Sequence, residues 1–245
     1  LNLNTGKVVH SQVEHGLMIE IPGVTGDSVP IRLDFLDPGG TTTAALLPSG
    51  HVVDTLTLRN GRSLDVSLVD AAIPMVFAAA SDFRLEGTET PDDLDADSEL
   101  TGELEHLRRQ AAVMMGLASN AAGAALATPK IALVSGPAGF GSLDRNQFSQ
   151  DSHDITARTV SMNKFHRAVP LTSAMCTGVA CGIEGSIPFR VSAQRDRDTC
   201  RIGTPSGVLQ VSARVRHAAE WLAISAGVYR TARRLMTGMA YYQSP

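Results

Sequence analysis

The stretch Lys164-Phe165-His166-Arg167-Ala168-Val169-Pro170-Leu171-Thr172-Ser173-Ala174-Met175-Cys176-Thr177-Gly178-Val179-Ala180-Cys181-Gly182-Ile183 decides how this chain folds. After Pro170 the residues are small or apolar on every side, and a helix without a polar face belongs inside a core. The spacing predicts a central helix over about 171–183, capped by Thr172 or Ser173. Three basic or titratable groups, Lys164, His166 and Arg167, precede it. A buried helix needs a wrapping, and the flanking sequence reads as strands.

Upstream, apolar residues alternate in short runs: Leu17, Ile19 and Ile21; Ile31, Leu33 and Phe35; Leu64, Val66 and Leu68. Period two is the mark of half-buried strands. Turn clusters separate them, among them Pro22-Gly23, Asp37-Pro38-Gly39-Gly40 and Pro48-Ser49-Gly50, with Asn60-Gly61 as a hairpin signal. Lys130 to Ser135 reads as a buried strand, Ile155 to Ser161 as another, and Val208 to Val215 and Trp221 to Val228 as two more. Between these groups, Leu100, Leu104, Leu107, Ala111, Met114 and Ala118 recur at helical steps, which predicts an amphipathic helix over 97–118 capped by Asp97 or Ser98. The expected class is α+β: a mixed sheet rolled around a central buried helix, with one added amphipathic helix.

The 245 residues carry a formal net charge of −4, 43% are hydrophobic and 19% charged, which fits one large or two small domains. No polycationic surface exists for nucleic acid, and no nucleic-acid partner is expected. The longest uncharged run, Ala168 to Ile183, falls short of the roughly 20 apolar residues of a membrane span, so no membrane partner is expected either. Three cysteines (Cys176, Cys181, Cys200) leave at least one unpaired, and no Cys/His cluster has zinc spacing. Metal: none is expected, and a reducing cytoplasm is the default location. Gly136-Pro137-Ala138-Gly139-Phe140-Gly141 has the glycine order G-x-x-G-x-G without a following helix, and is read as a plain loop rather than a nucleotide site. The N-terminus lacks an initiator Met and a leader, so the chain is expected to be a fragment.

The first turn of an enclosed helix keeps unpaired N–H groups and the positive end of its dipole, and an anion fits there. Small residues at Ser173 and Ala174 would let a carboxylate approach the backbone, with Lys164, His166 and Arg167 adding charge. The alternative is that Thr172 only caps and the basic residues are solvated. The turn Thr204-Pro205-Ser206-Gly207 reads from its residues as a hairpin loop.

Four blocks, LDFLDPGGTTTAALLPSGHVVD (33–54), KFHRAVPLTSAMC (164–176), TPSGVLQV (204–211) and RTARRLMTGMAYY (230–242), resemble the PrpF family of 2-methylaconitate isomerases, whose relatives include 4-oxalomesaconate tautomerases and aconitate isomerases. The resemblance implies the diaminopimelate-epimerase-like fold, with two lobes, each a sheet around a helix, and a cleft where both helix N-termini converge. It implies no cofactor and an allylic proton transfer, a cis-trans or double-bond shift, on an unsaturated di- or tricarboxylate, with a homodimer allowed. The organisation implied is a connector at 1–15 from a missing N-terminal lobe, a C-terminal lobe at 16–229, and a segment at 230–245 returning towards the N-terminal lobe. The substrate-binding residues implied are Lys164, Thr172, Ser173, Ala174, Ser206 and Gly207. Lys164 and Ser206 are candidates for catalysis, while the principal acid and base are expected in the missing lobe, so the fragment alone is expected to be inactive. Asp70-Ala71-Ala72-Ile73-Pro74 departs from the family's D-A-G-N-P, Thr172-Ser173-Ala174 from T-G-A, and Thr204-Pro205-Ser206-Gly207 from H-P-S-G. Two other readings share the fold: a noncatalytic binding or assembly protein, and an amino-acid racemase- or epimerase-like enzyme.

Overall fold

The computed structural model describes residues 6–22, 24–193, 198–232, 236–239 and 241. Among these described residues thirteen strands and four α-helices follow one another. The strands are β1 (Val9–Val13), β2 (Pro30–Leu36), β3 (Asp54–Thr57), β4 (Ser63–Asp70), β5 (Pro74–Ala79), β6 (Lys130–Ser135), β7 (Phe140–Gly141), β8 (Gln147–Phe148), β9 (Ile155–Ser161), β10 (Lys164–Phe165), β11 (Thr199–Thr204), β12 (Gly207–His217) and β13 (Trp221–Thr231). The helices are α1 (Pro91–Ala96), α2 (Ser98–Met114), α3 (Leu171–Cys181) and α4 (Ile187–Val191).

Eleven strands form one mixed sheet in the order β1-β2-β13-β12-β11-β9-β6-β5-β4-β3, with β10 added beside β9; β7 and β8 pair separately. Period two sorts each strand's side chains to opposite faces. One face of β4, β5, β6 and β9 presents Val69, Met75, Phe77, Ala132, Val134, Ile155 and Ala157 to α3, whose residues Ser173 to Cys181 are all buried. The other face presents Leu68, Val76, Ile131, Leu133 and Val160 to α2, through Leu100, Leu104, Leu107 and Ala111. Each of these large apolar side chains contributes about 1.5–3 kcal/mol by leaving water. The chain has the α+β form expected, with the sheet curled around α3.

Close approach of α3 to the sheet depends on glycine. A Cβ at Gly182 would stand 2.9 Å from Val215 Cγ2, and one at Gly178 would stand 3.2 Å from Val211 Cγ2. The loop from Asp37 to Thr43 is gathered by the buried Asp70 carboxylate. It accepts from Thr42 N at 2.7 Å, Thr43 N at 2.8 Å and the Thr41 hydroxyl at 2.8 Å. Gly40 turns there with φ 64°, where a Cβ would lie 2.7 Å from the Ala44 carbonyl carbon.

Three expectations need correction. Leu17, Ile19 and Ile21 make no strand: only the bridge Ile19 to Ser28 forms, and Leu17 and Met18 are exposed, because no sheet face lies there to bury the alternating side chains. The helix expected over 97–118 forms as α2, Ser98–Met114, and the short helix α1, Pro91–Ala96, precedes it. Thr90 caps α1 by accepting from Asp93 N, and Asp97 ends it and caps α2 by accepting from Leu100 N. The central helix starts at Leu171 with Pro170 as its N-cap, so Thr172 and Ser173 lie inside the first turn and cap nothing. Val9 to Val13, within the segment read as a connector, is an edge strand on β2. Residues 1–5, 233–235, 240 and 242–245, parts of the two terminal segments, lie outside the described residues.

Candidate functional site

The register of the sheet fixes where the N-terminus of α3 points. Gly178 faces Val211 and Gly182 faces Val215, so α3 runs alongside β12 in the same direction, with its first turn towards Gly207. Gly207 pairs with Thr204 across a tight turn. The Ser206 hydroxyl donates to the Arg167 carbonyl at 2.6 Å, which ties that turn to the segment entering α3. Gly207 has φ 128°, and a Cβ on it would stand 3.3 Å from the Phe148 ring. The fold therefore brings Thr172, Ser173, Ser206 and Gly207, all expected from the sequence, to one end of the lobe.

Pro170 has no side chain able to cap, and among the described residues no acceptor meets the amides of Leu171, Thr172 and Ser173. Ala174 differs from the expectation: its N–H donates to the Pro170 carbonyl at 2.9 Å and is closed to a ligand. The three open donors are 171–173 rather than 172–174, because the helix begins one or two residues earlier than its capping residues suggested. The Ser173 hydroxyl is buried with no hydrogen-bond partner among the described residues. Open amides, a dipole's positive end and an unpaired hydroxyl together suit a carboxylate.

The basic residues are not all where the sequence put them. Lys164 is 73% exposed and its ammonium lies 3.4 Å from Asp95, while Arg167 lies 2.5 Å from Asp92. Both partners belong to α1. Asp95 also accepts from Phe165 N at 2.9 Å, so α1 neutralises this segment and pins its backbone. The complementary charges at 92–95 and 164–167 were visible in the sequence, but nothing local said that they meet. His166 turns to Ser161, its Nε2 lying 2.8 Å from the hydroxyl, and burial followed by the charge of Lys130 pushes its pKa down.

The other conspicuous groups do not serve this end of the lobe. Cys176 sits mid-helix with its thiol donating to the Val69 carbonyl at 3.5 Å, and burial raises its pKa, which keeps it protonated and unreactive. Gly136 to Gly139 connect β6 to β7 with no helix following, as the plain-loop reading expected. Among the described residues no three His, Cys, Asp or Glu side chains converge as metal ligands, and no helix is long and apolar enough to cross a membrane.

Comparison with known proteins places this geometry in a family. The chain is 36% identical to the 3-methylitaconate isomerase of Eubacterium barkeri over 99% of its own length and 66% of that protein's. It is 30% identical to the 2-methyl-aconitate isomerase of Shewanella oneidensis, covering 99% of this chain and 64% of that one. A crystal structure of methylitaconate-delta-isomerase superposes with a TM-score of 0.86 at 34% identity, over 99% of this chain and 67% of that one. The chain thus spans about two thirds of the length of the curated relatives it matches. The family described as "PrpF protein" matches residues 1–243, and the chain belongs to it.

Proposed function

We propose that the protein is a cofactor-independent isomerase that moves a proton along an allylic system in an unsaturated di- or tricarboxylate, and that this chain supplies the carboxylate-binding half of the cleft. The observation that carries the reading is the tip of α3, where three open amides and the buried Ser173 hydroxyl converge without an internal acceptor. The names of the relatives point the same way: 3-methylitaconate isomerase, 2-methyl-aconitate isomerase and (4E)-oxalomesaconate Delta-isomerase.

In this reading Leu171, Thr172 and Ser173 hold one carboxylate, and Ser206 with Gly207 walls the cleft. A base must remove the allylic proton and an acid must return one at the far carbon, each within about 3 Å or through one water. Two groups that the sequence places near this end are not free for that work: Lys164 is held by Asp95 and Cys176 is buried in the core. The acid and base are accordingly assigned to an N-terminal lobe of the same polypeptide. The chain's own share is electrostatic, since fixed amides pointing at the dienolate-like charge stabilise it without reorganising. The buried Cys181 and Cys200 thiols, 3.8 Å apart and unbridged, suit a reducing compartment such as the cytoplasm.

Ultraviolet absorbance of 2-methylaconitate or cis-aconitate incubated with the full-length protein tests this. A change in the conjugated chromophore is expected. Spectra that stay constant, with binding intact, would support the noncatalytic reading instead.

A further inference from the structure

The sheet facing the tip of α3 carries polar groups that the site so far leaves out. In β9, Ile155 and Ala157 pack on α3 while Val160 packs on the opposite face, so Thr159 points to the α3 side. In β6, Ala132 and Val134 pack on α3 and Ile131 and Leu133 on the opposite face, so Lys130 also points to the α3 side. Its neighbour on β5 is Met75, another α3-facing residue. Ala132 pairs with Thr159, which makes Lys130 the diagonal neighbour of Thr159.

The level along the sheet is also set. β12 runs antiparallel to β11, and β11 parallel to β9. A helix running with β12 therefore aims its N-terminus towards the later residues of β9, where Thr159 stands. The segment entering α3 passes there too, since His166 N donates to the Thr159 carbonyl at 2.8 Å.

Thr159 is 1% exposed, and its hydroxyl has no hydrogen-bond partner among the described residues. Two buried hydroxyls, Ser173 in the first turn of α3 and Thr159 on the α3-facing side of β9, are thus both without a partner among the described residues. Burying a hydroxyl unpaired is costly, and a ligand that pairs both recovers that cost. Lys130 is half-buried, and among the described residues no carboxylate or other partner meets its ammonium; burial alone lowers its pKa. Lys164 and Arg167, by contrast, are already neutralised.

We propose that Lys130 and Thr159 form the sheet-side wall of the anion site at the tip of α3, with the Lys130 ammonium and the Thr159 hydroxyl both binding a substrate carboxylate. This deepens the function proposed above and rests on it. Lys130, not Lys164, is the cation of the subsite. A carboxylate held between helix amides, two hydroxyls and one ammonium is satisfied on all sides, which favours a di- or tricarboxylate over a zwitterionic amino acid, whose ammonium Lys130 would repel.

The test uses the full-length protein and tricarballylate, a saturated tricarboxylate that cannot react, followed by calorimetry. Wild type should bind it. Lys130→Met should weaken binding about tenfold or more, Lys130→Arg should stay within roughly threefold, and Thr159→Val, nearly isosteric, should lose about three- to tenfold. A second arm needs no variant: limited acetylation with peptide mass spectrometry should show tricarballylate protecting Lys130 and leaving Lys164 unprotected. Tight binding by Lys130→Met and Thr159→Val alike, or absence of protection at Lys130, would overturn this assignment while leaving the function intact. Failure of wild type to bind any polycarboxylate would overturn both.

Discussion

The Ser206 hydroxyl donates to the Arg167 carbonyl at 2.6 Å, across 39 residues of sequence. One bond joins the β11–β12 turn to the segment that launches α3. Ser206→Ala should cost about 1 kcal/mol of stability. It should also raise KM in the full-length protein, since the turn is freed to move. Denaturant midpoints and steady-state kinetics read the two effects, and an unchanged midpoint would mean that the bond contributes nothing.

Ser173→Ala separates stability from function. The hydroxyl it removes is buried with no partner among the described residues, and alanine is the better helix former. Stability should rise, by about 1 kcal/mol, because a desolvated and unsatisfied group is removed. Affinity for a tricarboxylate should fall in the same variant. A variant less stable than wild type would show that the Ser173 hydroxyl has a partner in the free protein.

One buried imidazole, His153, and one half-buried imidazole, His166, set an acid limit on stability. Burial, the leading cause for each, depresses the pKa of His153 and of His166 from the model-compound value of 6.5. As pH falls through about 6.5 the unfolded chain takes up protons that the folded one refuses, so unfolding is favoured. Stability should be full above that pH, decline below it, and level once the folded imidazoles also protonate. Urea midpoints between pH 8 and pH 5 check the curve, and His166→Asn should flatten it. A stability that rises on acidification over this window would contradict the lowered pKa of both rings.

Gly182→Ala should destabilise by about 1–3 kcal/mol, because the new methyl would stand 2.9 Å from Val215 Cγ2 and force helix and strand apart. Val215→Ala in the same chain should return part of the loss, an interaction that a double-variant cycle measures. Strict additivity would place the strain elsewhere.

Much of the fold was legible because it rests on local pattern. The apolar girdle of 171–183 can only be buried, and alternation at 31–35 and 64–68 can only face a sheet, so helix, strands and the α+β class follow from periodicity. The Asn60-Gly61 turn was equally local: Gly61 adopts φ 84° and closes the hairpin between β3 and β4. Leu17, Ile19 and Ile21 have the same alternation and no strand, since alternation earns a strand only where a partner edge and a core face are present.

The sequence by itself determined that a greasy helix is enclosed by strands, that its first turn lies beside small residues, and that Ser206-Gly207 forms a turn. Only the tertiary structure decided which amides stay open, with Ala174 closed by Pro170 and Leu171 left free. It also decided which cations remain unpaired. Lys164 and Arg167 look like ligands in a linear reading, yet α1, some seventy residues earlier, supplies Asp95 and Asp92 to them. Lys130 looks like an ordinary strand start, yet strand register puts it on the face of the sheet that packs on α3. The reason is physical: side-chain periodicity is a property of neighbouring residues, whereas charge pairing and desolvation depend on groups brought together through space by the register of distant strands.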